Sequence, residues 1–279
     1  MTNNKEKQAS QKFLRRESER LSLRILRLLE AFNQKGLRLS QVAPHKRILL
    51  LFFTRAIKTF NAIRFLCEAG YGQDVSILLR SFLENLISTK YILSDPLSAD
   101  QKAARFVGYK WVMLKRQRAE KPQSGLTQEQ GEEADFINKQ FAEFKQKNNI
   151  ISDKALLTWS GRSIRDMARF SDQKLLDEYD KNFRTCSRFS HPSILGDDAY
   201  VQDAGDILKF SPLPSSSGVE GPLRSAIDYM EEFSLLFKTV FGLSETRTSA
   251  RRQNKSRSPD PGGKKEHKDS RLFILSSPA

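Results

Sequence analysis

The sequence has few of the residues that build metal and redox sites. It contains two cysteines and three histidines among 279 residues. Cys67 and Cys186 form no C-x-x-C pair and no Cys/His cluster with the spacing of zinc ligands. Both lie in apolar helical patterns, so we expect buried free thiols, as in the reducing cytoplasm. No Gly-rich phosphate loop or paired-carboxylate signature occurs either, and we expect no metal and no cofactor.

Long hydrophobic runs are also missing. The most apolar stretch is ILLLFF, residues 48–53, and Arg55, Lys58 and Arg64 follow it at once. A membrane-spanning helix needs about 20 mostly apolar residues, so this stretch predicts a buried helix instead of an anchor. The polar N-terminal stretch MTNNKEKQASQKFLRRESER is not typical of a secretory signal. We therefore expect a cytoplasmic protein that does not bind a membrane.

Acidic residues are outnumbered by basic ones. Lys and Arg total 47 against 33 Asp and Glu, so the net charge is +14. This balance favours an anionic partner, such as nucleic acid, nucleotides or acidic lipid. A solvated basic surface without a binding role is the alternative, because charge alone specifies no chemistry.

Helical periodicity, by contrast, runs through most of the chain. Apolar residues recur at helical spacing and no stretch alternates convincingly as a strand would, which predicts an all-α bundle. The loop-like composition of residues 192–222 predicts a long loop before the last helix, and PQSG at 122–125 predicts a linker. The predicted helices cover residues 11–34, 45–68, 74–94, 98–120, 127–147, about 162–170, about 172–190, and 223–241.

The composition changes at Ser244. Residues 244–279 carry many charges and no apolar periodicity, which predicts a disordered basic tail after a single helical domain over residues 1–243. The tail could bind phosphates non-specifically, or it could serve only solubility.

Two charged residues fall on the apolar arc of the third helix. Arg80 and Glu84, in SILLRSFLENL, are four residues apart and share a helix face. An unpaired buried charge is costly, so we expect the two to be paired and mostly buried. The pair would either hold the helix register or belong to a polar pocket inside the bundle.

The segment RTCSRFSHPS holds one of the three histidines. Arg184 and His191 fall about 20° apart on a helix, with Ser187 and Arg188 beside them. Pro192 biases His191 towards the helix end, where the dipole favours a protonated imidazole. This predicts a phosphate site with one group that can transfer a proton near neutral pH. The alternative is structural: His191 caps the helix or bonds Glu84, and Asp180 and Arg184 form a surface pair.

Two resemblances rest on these motifs. The Arg184-x6-His191 spacing resembles the R-x4-6-H motif of the HEPN superfamily (higher eukaryotes and prokaryotes nucleotide-binding domain), whose helical members include metal-independent ribonucleases of toxin–antitoxin and phage-defence systems. Thr185 stands where many active members carry Asn, Asp or His. The stretches EAGYGQDVSILLRSFLENL, TWSGRSIRDMARF and RTCSRFSHPS, within about residues 45–240, are similar to a bacterial family catalogued as a domain of unknown function.

The first resemblance implies a HEPN-like metal-independent endoribonuclease or RNA-binding effector, acting in bacterial defence as a homodimer. Arg184 and His191 would be the catalytic residues, and Arg188 and Ser187 would contact the substrate phosphate. The alternative is a non-catalytic module that binds nucleic acid or a protein partner. In that case His191 joins an internal network with Arg80, Glu84, Trp159 and Tyr179. A small-molecule or nucleotide sensor with a helical pocket is a third option.

Overall fold

A computed structural model describes most of the helical part of the chain. The described residues are 2–38, 42–72, 74–120, 127–152, 156–183, 186, 201–203, 208–210 and 218–243. They all belong to one compact unit that spans Met1–Ser244. The predicted tail, residues 244–279, lies outside them.

Nine α-helices make up nearly all of the described structure, and the predicted all-α fold is confirmed. The eighth helix continues directly into a π-helix, Tyr179–Phe183. The α-helices are α1 (Thr2–Gln34), α2 (Pro44–Glu68), α3 (Val75–Leu93), α4 (Ala99–Gly108), α5 (Lys110–Ala119), α6 (Gln128–Lys147), α7 (Ile164–Ser171), α8 (Gln173–Glu178) and α9 (Glu220–Phe241). None of these described helices is long and apolar enough to cross a membrane.

The structure corrects two of the predictions made from the sequence about where helices and loops lie. The helix predicted over 98–120 is two helices, with Tyr109 between α4 and α5. The segment predicted as a loop over 192–222 contains two short strands, β1 (Val201–Asp203) and β2 (Leu208–Phe210), which pair antiparallel. Strands of three residues are too short to produce a clear alternating pattern, which is why the sequence did not reveal them.

Side chains at the helix starts explain several boundaries. Thr127 and Gln130 form a capping box at the start of α6, which supplies partners for two backbone N–H groups. Asp172 accepts a hydrogen bond of 2.7 Å from the N–H of Leu175 and so caps α8. At the other end of the chain, α9 stops at Gly242, whose φ of 56° is in the left-handed region that favours glycine.

The core lies where α2, α3 and α9 pack against one another, with α1 against α9 and α7 against α3. Aromatic rings join these helices: Phe53 stacks on Phe237 with centroids 4.2 Å apart, and Phe82 stacks on Phe233 at 5.9 Å. Cys67 is a buried free thiol, as predicted. A smaller apolar cluster ties α5 to α6 and the chain after α6, through Val112, Phe144, Ile150 and Leu156.

The third helix is more enclosed than its amphipathic pattern predicts. Asn85, Ser88 and Thr89 lie on or near the side expected to be polar, yet all three are buried. The reason is tertiary, because α2, α4, α7, α9 and the π-helix all pack on α3. Thr89 donates its hydroxyl hydrogen to the carbonyl of Asn85 at 2.8 Å, which lowers the cost of burying that hydroxyl. The side-chain nitrogen of Asn85 is buried without a partner among the described residues.

Candidate functional site

The predicted catalytic residues are not themselves described, but their neighbours in the chain are. Arg184, Ser187, Arg188 and His191 lie outside the described residues. Phe183 precedes Arg184 directly and Cys186 follows it by two positions, and both belong to the main core or pack against it. The candidate site is therefore built from the side chains around Phe183 and Cys186, and we call this group the π-helix site.

Arg80 of α3 is the cation of this site. Its guanidinium lies over the ring of Phe183, with Cζ 4.6 Å from the ring centroid, and its Nε donates to Glu84 Oε1 at 3.4 Å. The ring of Phe183 in turn stacks on Tyr179, with centroids 4.4 Å apart. Arg80, Phe183 and Tyr179 thus form one continuous stack, and its central ring, Phe183, directly precedes Arg184 in the chain.

The Arg80–Glu84 pair forms as predicted, and most of each side chain is covered, although neither is fully enclosed. The Arg80 side chain is 28% exposed and that of Glu84 is 37% exposed. The apolar arc continues past them to Ile77, which is itself about half exposed. A helix pattern cannot tell which edge of an apolar arc a neighbouring helix covers, and here the edge with the two charges faces solvent in part.

Cys186 joins the site to the body of α3. The side chain is buried and the thiol is free, as predicted. Burial raises the pKa of the Cys186 thiol above its ordinary value, while a hydrogen bond with Ser76 and the charge of Arg80 act in the opposite direction. A thiol held protonated in this way is a poor nucleophile at neutral pH, so its contribution is to packing.

A polar triad connects the end of α8, the π-helix and α9, and its Tyr229 member is buried. Tyr229 of α9 donates its hydroxyl hydrogen to Glu178 Oε2 at 3.1 Å. The Asn182 amide nitrogen lies 2.6 Å from the same carboxylate oxygen and 3.1 Å from the Tyr229 hydroxyl. Burial raises the pKa of Tyr229 well above its ordinary value. The triad joins the π-helix to α9, and π-helical turns of this kind are frequent at functional sites.

Asp180 has a partner other than the one proposed for it. Arg165 of α7 binds the Asp180 carboxylate with two parallel hydrogen bonds, at 2.9 Å from Nε and 2.7 Å from Nη2. This bidentate geometry is the strongest that a guanidinium offers a carboxylate. Asp180 thus has a partner on a different helix, whereas the predicted surface pair with Arg184 lies outside the described residues.

The predicted internal network is divided between two places. Arg80, Glu84 and Tyr179 belong to the π-helix site, whereas Trp159 packs edge-on against Tyr91 and Phe106, with ring centroids 5.8 and 5.2 Å apart. Trp159 thus belongs to an aromatic cluster where α3 meets α4. The structure does not bring the four described members of the network together.

Sequence reasoning missed a second cation on α3. Lys90 is only 16% exposed and lies between two carboxylates, 2.8 Å from Asp172 and 2.6 Å from Glu232. Burial lowers the pKa of Lys90, but the hydrogen bonds to Asp172 and Glu232 outweigh it and raise the pKa above its ordinary value. The sequence did contain a sign of this cation, because Lys90 is the lone charge in the apolar stretch NLISTKYIL. Its two partners could not be predicted, since both lie far away in the chain.

The site can bind an anion more readily than a metal. The partly exposed side chain of Arg80 has donors beyond the one used by Glu84, and an arginine over an aromatic ring suits phosphate recognition. Within the described ranges, no three His, Cys, Asp or Glu side chains are placed to hold a metal ion. The expectation of metal-independent chemistry stays a prediction.

The fold and the site define an all-α protein whose longest helices enclose an aromatic core, with a polar π-helical turn at its edge. The model of a family of unknown function, DUF5677, matches residues 46–207, more than half of the chain. The chain belongs to this family. This agrees with the resemblance to an uncharacterised family, whose three signature stretches all lie within the matched residues. No curated protein and no solved structure matches the chain.

Proposed function

We propose that the protein is an RNA-binding effector of HEPN-like type that cleaves RNA without a metal ion, with the phosphate bound at the π-helix site. The observation that carries the proposal is the position of Arg80. Its partly exposed guanidinium lies over Phe183, immediately before Arg184 in the chain. A cation thus lies over the residue that directly precedes the R-x6-H segment in sequence, in a protein of net charge +14.

In the proposed reaction, His191 removes the proton of a ribose 2′-hydroxyl, or donates one to the leaving 5′-oxygen. The 2′-oxygen attacks phosphorus as the bond to the 5′-oxygen breaks. The products are a 2′,3′-cyclic phosphate and a 5′-hydroxyl. Arg184, with Arg188 and Ser187, stabilises the charge that develops on the phosphate. A homodimer would supply a second copy of each group, and the role would be defence against phage or a toxin–antitoxin pair.

The test is incubation of the purified protein with single-stranded RNA in the presence of a chelator. Proton transfer by a positioned side chain contributes about 10²–10⁴-fold, so His191→Ala should lose most of the cleavage and keep the wild-type melting transition. Arg184→Ala should also be impaired. Arg80→Met should weaken RNA binding, whereas Arg27→Met, on the exposed face of α1, should behave as wild type.

Cleavage that requires added magnesium, or that persists in His191→Ala, contradicts this mechanism. Loss of folding in His191→Ala favours the alternative, a non-catalytic binding module in which His191 is a structural residue. RNA binding that survives in all three site variants and disappears only when residues 244–279 are removed would place the interaction on the basic tail.

A further inference from the structure

A second candidate site lies away from the π-helix site, in a cleft between α4, α5 and α6. Its volume is about 590 Å³, within the range of small-ligand sites. The floor is formed where α4 and α6 approach closely: a Cβ at Gly108 would lie 2.6 Å from the Phe144 ring. Only glycine at this position lets the Phe144 ring lie against the backbone of α4.

The carboxylates and the cations that line the cleft differ in whether they already have hydrogen-bond partners. Asp100 Oδ1 lies 2.7 Å from His45 Nδ1 and accepts the backbone N–H of His45 at 3.1 Å. Glu143 accepts a hydrogen bond from the amide of Gln140. Both carboxylates that line the cleft therefore already have partners.

The two cations that line the cleft, by contrast, lack partners among the described residues. Arg105 and Lys147 line it, and neither side chain has a hydrogen bond or ion pair with any residue that the structure describes. The Nε atom of Arg105 is buried without a partner, so packing instead of a carboxylate holds the guanidinium in place. Arg105 is partly buried and Lys147 is exposed, and an anion bound in the cleft would supply the counter-charge that both lack among the described residues.

The wall of the cleft is aromatic. Trp111 of α5 lines it and packs edge-on against Phe136, with ring centroids 5.5 Å apart. Lys110 Nζ also lies over the indole, 4.4 Å from the ring centroid, so a base would stack on the opposite face of the ring. A flat ring next to unpaired cations matches a ligand that has both a planar ring and a phosphate, since bases stack on aromatic side chains and guanidinium groups bind phosphate.

We propose that the cleft between α4, α5 and α6 binds a mononucleotide, with the phosphate at Arg105 and Lys147 and the base against Trp111. This site is independent of the proposed ribonuclease chemistry. It gives the protein a means of sensing a free nucleotide.

The experiment is isothermal titration of the full chain with AMP, GMP, CMP and UMP, beside adenosine and inorganic phosphate. At least one mononucleotide should bind saturably, and more tightly than either part alone. Loss of a charge-assisted hydrogen bond in Lys147→Met should weaken binding about tenfold. Lys147 is exposed, so this variant should fold normally. Trp111→Leu should bring the affinity of the nucleotide close to that of phosphate.

Two controls locate the site. Arg27→Met on α1 should bind as wild type. The double variant Arg184→Ala/His191→Ala should also keep nucleotide binding, which separates this site from the proposed RNA site. Absence of saturable binding by all four mononucleotides overturns the proposal. So does binding that Lys147→Met leaves unchanged, binding that the double variant abolishes, or phosphate binding as tight as that of the nucleotides.

Discussion

At the scale of single residues, two groups of charges on α3 differ in what surrounds them. Arg80 and Glu84 are four apart on one helix and partly open to solvent. Lys90 is nearly enclosed. It pairs with the carboxylates of Asp172, at the start of α8, and of Glu232 in α9. Solvent screening makes the first pair weak, whereas the second group joins three parts of the fold.

Glu84→Ala should cost less than about 1 kcal/mol of unfolding free energy, because exposed ion pairs contribute little. Urea denaturation of the variant and the wild type measures the difference. A loss of several kcal/mol would mean that the pair is energetically buried in solution.

Lys90→Met should be much more damaging, at about 2–3 kcal/mol, because it leaves two carboxylates close together without their cation. Lys174→Met, on the exposed face of α8, is the matched control and should unfold like the wild type in the same urea series. Equal stability of both lysine variants would show that the Lys90 bridge contributes nothing.

The Lys90 bridge also predicts a pH dependence. Burial raises the pKa of Asp172, but the hydrogen bonds from Lys90 and the N–H of Leu175 outweigh it and leave the pKa below the ordinary 3.8. The stabilisation is therefore present above pH 3.8 and is lost as the pH falls through the folded-state value. The pKa of Lys90 is raised above its ordinary 10.5. The stabilisation that Lys90 contributes is therefore fully present below pH 10.5 and is lost as the pH rises through the folded-state pKa.

The stability difference between wild type and Lys90→Met should thus be constant around neutral pH and shrink at both extremes. Thermal melts across the pH range measure it. A difference that keeps growing as the pH falls below 3.8 would contradict the assignment.

At the scale of elements, the turn between α2 and α3 determines how α9 begins. Gly72 is buried, and a Cβ there would lie 2.7 Å from the carbonyl carbon of Gly218 and from the nitrogen of Val219. The Cys67 thiol, near the end of α2, also lies 3.8 Å from the carbonyl oxygen of Val219. The Gly-Tyr-Gly turn of the sequence therefore has a packing role, since it lets backbone meet backbone.

Gly72→Ala should destabilise the protein by about 1–3 kcal/mol, because overpacking here must displace backbone. Gly131→Ala is the matched control: it lies within α6 and a Cβ there meets nothing within 4 Å. That change should leave stability unchanged or raise it by up to about 1 kcal/mol, the helix preference of alanine over glycine. Thermal melts distinguish the two, and equal melting temperatures would refute the close approach.

At the scale of the whole molecule, the described core ends at the end of α9. Leu243 is buried, and Lys35, the residue directly after α1, donates hydrogen bonds to the carbonyl oxygens of Phe241 and Gly242, at 2.6 and 3.0 Å. These contacts tie the first and last helices together and satisfy carbonyl groups at the end of α9.

Truncation after Leu243 should therefore leave the melting transition intact, since it preserves these contacts. It should weaken nucleic-acid binding most clearly at low salt, because the tail is predicted to act through charge alone. Melts and binding titrations at two salt concentrations test both parts. A large drop in melting temperature would show that the tail packs on the helical domain.

The sequence alone determined the helical class, the approximate extent of most helices, the family, and the Arg80–Glu84 pair. These depend on local spacing, which sequence displays directly. Only the tertiary structure decided that this pair stays partly open to solvent, that Asn85 and Thr89 are buried, and that Trp159 lies apart from Tyr179. The Lys90 bridge and the cleft at Arg105 likewise join residues distant in the chain. Burial and partnership depend on which helices cover which faces, and no periodicity within one helix contains that information.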